Sequence, residues 1–215
     1  KQPVITLKVT SKSSGLDPVY PQLDWQNTAK ESLLERVKVA GVVGLGGATF
    51  PTNVKLASQC INTLIVNAME CEPYITCDDR LLREQTENII SGAQIAAKII
   101  GASAIIFAIE DNKKEAIESL ASSIRQYQLK YSDIAKITIK VASTKYPSGG
   151  EKQTIELVTG KQLPAGNQPS SMGLLVQNVA TLNAVHDAVA NGRPLTHRLV
   201  TLTGNLISKP GNYWI

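Results

Sequence analysis

The feature that most limits what this chain can fold into is a series of short apolar segments, each followed by a helical pattern, that begins at Thr63. Apolar stretches over residues 63–67, 104–109, 137–142 and 174–176 read as strands. Helices are expected between and after them, over 80–100, 113–126, 152–158 and 179–191. Strands that alternate with helices pair in parallel and are covered on both faces, so the fold class is α/β with a mainly parallel sheet. Ligands of such open sheets sit beyond the carboxyl ends of the strands. The loops to search therefore begin at Asn67, Glu110, Ser143 and Gln177.

Residues 1–27 carry Pro3, Pro18 and Pro21 and read as a lead-in, with a short strand over 4–9 and then an extended loop. Thr28-Ala-Lys-Glu31 has the form of a capping box, which opens a helix that stops before Gly41. A second, short helix is expected after Pro51 and through Lys55. At the other end, residues 198–204 and 210–215 read as extended segments with no helix between them, the edge of another domain. The α/β domain is thus assigned to residues 28–197 and the start of a further domain to residues 198–215.

Composition excludes several function classes. The chain of 215 residues is 43% hydrophobic, enough for one sizeable domain. Its net charge of +4 is spread along the sequence without the clusters of Lys and Arg that a nucleic-acid partner requires. No apolar run approaches the ~20 residues that span a bilayer. The Lys1-Gln2-Pro3 start has neither Met nor a signal-peptide core, as expected of a soluble piece of something longer. Cys60, Cys71 and Cys77 lack CxxC spacing, which argues against disulfides and a tetrahedral zinc site; no metal site is expected.

Four segments could carry chemistry. Gly44-Leu-Gly-Gly47, leading to Phe50 and Pro51, allows close backbone approach, and a helix starting at Pro51 would aim free N–H groups at it, as suits a phosphate. It is not a dinucleotide fingerprint, because the segment before it is helical and Thr49 stands at the third glycine position. Residues 67–80 follow the first strand and bring Asn67, Glu70 and Glu72 to the sheet's carboxyl edge, with Asp78 or Asp79 as a helix cap. Residues 145–152 bring Tyr146, Gly149, Gly150 and Glu151 to a strand-to-helix junction; the spacing of a P-loop is absent. Asn178 and Thr181 lie at the last such junction, where Asn178 would serve as an N-cap. His186 and His197 are isolated and read as filler.

Together these residues resemble a known family. Residues 40–52, residues 67–80 with their Glu-Cys-Glu-Pro-Tyr-Ile-Thr core, Glu110-Asp-Asn112, residues 144–153 and Val200-Thr-Leu-Thr-Gly204 occur in the order found in the RnfC (RsxC) family. That family belongs to the Rnf ion-translocating electron-transport complex and is similar to the NADH-binding flavoprotein subunit of respiratory complex I. The resemblance implies a Rossmann-like domain with an atypical glycine-rich flavin loop, followed from residue 198 by a β-rich, soluble-ligand-binding β-grasp-like domain.

It further implies that FMN is held non-covalently and that NADH stacks on it. Gly44, Gly46, Gly47 and Lys55 would lie near the flavin phosphate, and Asn67 at the ribityl chain or ring. Glu70 and Glu72 would flank the nicotinamide, with Glu70 shared with the flavin, and Phe50 would stack on adenine. Tyr146, Gly149, Gly150 and Glu151 would close over the flavin, and Asn178 and Thr181 would complete the pocket. No side chain is catalytic in such a site, because hydride passes between the two cofactors. Thr49 departs from the family's usual glycine. The cysteine runs that bind the family's 4Fe-4S iron–sulfur clusters do not occur in this sequence, so such clusters would belong to another part. The implied partners are the other subunits of the complex, at the cytoplasmic face of the bacterial inner membrane, with this chain peripheral. A cobalamin-reductase-type flavoprotein and a docking module without flavin are the alternative readings.

Overall fold

A computed structural model describes residues 19–132 and 134–215; the strand expected over 4–9 lies outside them. The described chain opens on a turn built around Asp24, whose carboxylate accepts from the Gln26 N–H at 3.2 Å and from Asn27 Nδ2 at 2.6 Å. Thr28 Oγ1 donates to Asp24 O at 2.6 Å. Thr28, expected to cap the next helix, is consumed by this turn, and α1 (Lys30–Val39) starts after Ala29 with no side-chain cap. A left-handed Gly41 at φ 68° ends it, and the short α2 (Thr52–Leu56) follows where it was expected.

The sheet contains β1 (Thr63–Ala68), β2 (Ala104–Glu110), β3 (Lys136–Ala142) and β4 (Leu174–Asn178). All neighbours are parallel and the order is β3-β2-β1-β4. Between β1 and β2 lie α3 (Cys77–Glu84) and α4 (Thr86–Ile100); α5 (Lys114–Lys130) joins β2 to β3, α6 (Glu151–Thr159) precedes β4, and α7 (Val179–Ala190) follows it. Right-handed crossovers explain which face each helix covers. The steps β1 to β2 to β3 move one way along the sheet, and their helices cover one face. The step from β3 back to β4 moves the other way, so α6 lies on the opposite face.

The two cores follow this division. Leu64, Val66, Ile105, Phe107 and Leu175 pack with residues of α1, α4, α5 and α7 in the larger core. Ile65, Ala108 and Val176, from alternate positions of the same strands, pack on Ile155 and Val158 of α6 in the smaller one. A 3-10 turn, Pro169–Met172, leads into β4 and was not foreseen. Beyond the sheet, β5 (Leu199–Leu202) and β6 (Gly211–Trp214) form a two-stranded antiparallel ribbon.

One helix departs from expectation. The pattern over 80–100 is two helices broken at Gln85, where ψ is 29°. Thr86 Oγ1 bonds Leu82 O, and Asn88 Nδ2 donates to Gln85 Oε1 at 2.7 Å. Such local side-chain bonds compete with the helical ladder. α5 also runs past its expected end, to Lys130, carried by Tyr127 packed on Tyr131 with ring centroids 4.5 Å apart.

α4 and α7 touch backbone to backbone at Gly92, where a Cβ would come within 1.9 Å of Leu182 O. Helix propensity alone would make Gly92→Ala stabilising by about 1 kcal/mol. The clash is with backbone and outweighs that gain. Gly92→Ala should therefore lower stability by roughly 2–3 kcal/mol, read from the midpoint of urea denaturation.

Candidate functional site

The strand order reverses between β1 and β4, so the loops leaving these strands diverge and open a crevice at the carboxyl edge of the sheet. Asn67 and Asn178 are register partners at that junction. Each amide ties its own strand end to a more distant loop.

Asn67 Nδ2 donates to Gly149 O at 2.8 Å, while its Oδ1 accepts from the Met69 N–H at 3.0 Å. This draws the turn before α6 onto the end of β1. Gly149 permits the approach, because a Cβ there would lie 2.3 Å from Met69 O. The same turn is held by Gly149 N–H donating to Cys71 Sγ at 3.3 Å and by Ser148 Oγ donating to Glu110 Oε1 at 3.1 Å. Glu110 is fully buried at the end of β2, and its Oε2 has no hydrogen-bond partner among the described residues.

Asn178 caps α7 as expected, its Oδ1 accepting from the Ala180 N–H at 2.9 Å. Its Nδ2 donates to Asp78 Oδ2 at 2.6 Å. The glycine loop rests on this side chain: a Cβ on Gly46 would sit 3.1 Å from Asn178 Cβ. Leu45 is held at both ends, its N–H donating to Thr181 Oγ1 at 2.9 Å and its O accepting from Arg198 Nη2 at 3.0 Å. Gly44 N–H donates to Phe50 O at 2.8 Å, and Val43 and Pro51 form an antiparallel bridge, so residues 43–51 are a closed loop over the end of β4. Gly47 has φ 124° and Thr49 φ 48°, a left-handed conformation that a β-branched residue tolerates poorly.

One of the amides expected to face this loop from α2 is already spent. α2 has five residues, and its first N–H, on Thr52, donates to Val42 O at 3.0 Å. Closing the loop thus uses one of the amides at the start of α2.

Neither Asp78 nor Asp79 caps α3 by its side chain; Glu70 does so from outside the helix. Its Oε1 accepts from the Asp78 N–H at 2.7 Å and its Oε2 from the Asp79 N–H at 3.1 Å. Lys113 Nζ, at the start of α5, donates to Oε2 at 3.3 Å, and the Glu70 side chain is only 4% exposed. The positive end of α3 and the ammonium both favour a carboxylate here. Burial pushes the Asp78 carboxyl up to about 7, assisted by the charge of Glu70 and opposed by the Asn178 bond. Burial also raises the Cys77 thiol, with Asp78 as the next cause.

The remaining expected residues lie around this core. Lys55 pairs with Glu151 at 2.9 Å, linking α2 to the start of α6. Phe50, Lys55 and Glu151 line a groove of about 390 Å³ with Pro169 and Leu174. Phe50 and Tyr146 are 50% and 63% exposed, so each presents ring surface to solvent. Gly150, which begins α6, would bring a Cβ within 2.3 Å of Gln153 Oε1. Glu72 is exposed and contributes only its backbone O to a turn, accepting from the Ile75 N–H at 3.3 Å. A wider groove of about 650 Å³, lined by Trp25, Gln94 and Lys98, lies at the amino end of β2, away from the crevice.

Asp78, Glu110, Lys113 and Arg198 were not singled out as site residues. Glu110 and Lys113 sit in a loop flagged by its position after β2. At Asp78 the sequence points only to a helix cap, with Asp79 as the alternative. Arg198 gave no signal, because its partner Leu45 is 153 positions away.

Three substitutions test this geometry. Glu70→Ala should cost roughly 3 kcal/mol, since it removes two charge-assisted bonds to amides and leaves Lys113 unpaired. Glu70→Gln should keep part of that stability. Thr49→Gly should raise stability by about 1 kcal/mol by relieving the left-handed conformation. Urea denaturation reads all three.

Comparison with known proteins bears on the family and the fold. Residues 37–187 match the model of the Nuo51 FMN-binding domain. The chain is 45% identical over 209 residues to RnfC, one of the subunits of the ion-translocating oxidoreductase complex, from Haemophilus influenzae strain PittEE, covering 95% of this chain and 31% of that one. It is 48% identical over 193 residues to the corresponding protein of Salmonella paratyphi A, covering 89% of this chain and 25% of that one. The chain thus spans about a quarter to a third of the curated relatives it matches. Among solved structures, an NAD+-reducing NiFe-hydrogenase in the H2-reduced state superposes with a TM-score of 0.77 at 26% identity, over 89% of this chain and 38% of that one. A parallel sheet whose reversal point is lined by Asn67, Asn178 and a closed glycine loop, matched over residues 37–187, makes this chain a member of the Nuo51 FMN-binding domain family.

Proposed function

We propose that this chain is the flavin- and NADH-binding module of an electron-transport complex, taking FMN into the crevice between β1 and β4. The observation that carries this reading is the glycine backbone seated tightly on the walls of the crevice. A Cβ on Gly46 would meet Asn178 Cβ at 3.1 Å and one on Gly149 would meet Met69 O at 2.3 Å, whereas a Cβ on Gly47 would meet nothing within 4 Å. The residues fit the group: Glu110 Oε2 is a buried acceptor with no partner among the described residues, and the Asn67 and Asn178 amides, each bonded at both ends, hold glycine backbone in place around the crevice for a flat polar ring.

Phe50 and Tyr146 supply exposed aromatic faces for the flavin and the nucleotide. The Lys55–Glu151 pair stands beside the groove between α2 and α6, where Lys55 can turn toward a phosphate. Bound FMN supplies hydride acceptance and one-electron release; the chain's residues bind, orient and exclude water. Glu70 acts from behind the crevice, by fixing α3, and Glu72 is free to approach the nicotinamide. Iron–sulfur clusters would belong to the remainder of a longer protein.

Among the described residues no helix is long and apolar enough to cross a membrane. The same reading gives the chain a peripheral place on the cytoplasmic side of the bacterial inner membrane. The relatives belong by name to an ion-translocating oxidoreductase complex, which supports other subunits of such a complex as partners.

Adding FMN to the purified chain should quench and shift the flavin absorbance, and anaerobic NADH should then bleach it. Gly46→Val should weaken FMN uptake at least about tenfold while circular dichroism stays native. Leu129→Ala, on a residue 90% exposed near the end of α5, should leave uptake unchanged. A chain that leaves the flavin spectrum untouched would be a docking module instead. Uptake of FMN without bleaching by NADH would exclude the dehydrogenase reading and keep the flavin site.

A further inference from the structure

The Asn178 amide has two ends of nearly the same shape and opposite hydrogen-bonding character. One end must accept from the Ala180 N–H to cap α7; the other donates to Asp78 Oδ2 at 2.6 Å. An ionised carboxylate only accepts, so with Asp78 ionised a single orientation of the amide satisfies both neighbours. A protonated Asp78 can donate, and the amide is then free to turn and abandon the cap. A Cβ on Gly46 would lie 3.1 Å from Asn178 Cβ and 3.6 Å from its Nδ2, so turning the amide exchanges a donor for an acceptor directly under the glycine loop.

We propose that Asp78 is a positioning residue for the crevice: its carboxylate locks Asn178 under the glycine loop, and protonation releases that lock. The proposal rests on the flavin reading for its consequence, but the lock itself is a property of the chain alone.

The surroundings place this event near neutral pH. Glu70, from the loop after β1, faces Asp78 and raises its affinity for a proton; Lys113 at the start of α5 and Arg198 before β5 oppose it, and Cys77 adjoins on α3 itself. Burial outweighs these opposing charges, and the carboxyl stands at about 7. The folded chain holds this proton more tightly than the unfolded chain does, so ionising Asp78 lowers stability as pH rises from the ordinary carboxylate range to about 7. A group kept for stability alone would show the reverse. Arg198 joins the two halves of the device, since it faces Asp78 and also donates to Leu45 O in the loop.

The test follows the Asn178 side-chain amide in the complete chain by ¹⁵N NMR from pH 5 to 9, with Asn178→Asp to assign it. The wild-type resonances should move with a midpoint near 7, and Asp78→Asn should abolish that titration. Asp78→Asn should also raise the thermal midpoint at pH 8. FMN affinity should fall roughly five- to tenfold from pH 8 to pH 6 in the wild type beyond any fall in Asp78→Asn, which shares the titration of the flavin's own phosphate. Asn178 resonances that ignore pH, or that titrate equally in Asp78→Asn, would overturn the lock. A lower thermal midpoint for Asp78→Asn at pH 8 would make Asp78 merely structural. If the wild type takes up no FMN, the flavin reading fails on its own, and the Asn178 titration still decides the lock.

Discussion

Parallel pairing of β1 with β2 on one side and with β4 on the other is the constraint from which the remaining architecture follows. Parallel neighbours cannot be joined by a hairpin, so each connection must cross the sheet through a helix. Handedness then fixes the face: α4 and α5 lie on one side, and α6, on the return from β3 to β4, on the other. A crevice must open where the direction of travel reverses, before any side chain there is chosen. Asn67 and Asn178 occupy that junction, and the other polar residues of the site are arranged around them.

The polar framework has the character of a brace. Asn67 holds the turn before α6, Glu70 holds α3, Asp78 holds Asn178, and Thr181 and Arg198 hold Leu45. Most of these bonds run from a side chain to a backbone group, which fixes loops without using sequence-local turn chemistry. The cost is concentrated at Asp78, a partly buried carboxylate beside the almost fully buried Glu70. Lys113 and Arg198 offset that cost only in part. Glycine has a different task here. At Gly46, Gly92 and Gly149 it removes a Cβ where backbone must meet its neighbour, twice at the crevice and once between α4 and α7.

Much of this was legible because it is local. Four strands, their order along the chain, the stop at Gly41 and the Asn178 cap all depend on residues a few positions apart. Errors arose where a local signal had a stronger partner. Thr28 was drawn into the Asp24 turn, Gln85 and Thr86 broke a helix whose apolar pattern was continuous, and Glu70 took over the cap expected of Asp78 or Asp79. The glycine loop is legible from its composition, but that Thr52 N–H closes it, and so leaves α2 one amide fewer, is not.

The sequence by itself determined the α/β class, the loops at the carboxyl edge and, through ordered motifs, the family, because apolar periodicity and motif order are properties of the chain read in one dimension. Only the tertiary structure decided which face each helix covers and which amides are already spent. It also brought Asp78, Lys113 and Arg198 into the polar framework around the crevice. These outcomes rest on contacts between residues that are tens to more than a hundred positions apart, such as Lys113 with Glu70, Asp78 with Asn178 and Arg198 with Leu45. A hydrogen bond of that kind leaves no trace in spacing, since either partner alone looks like an ordinary polar residue in a loop.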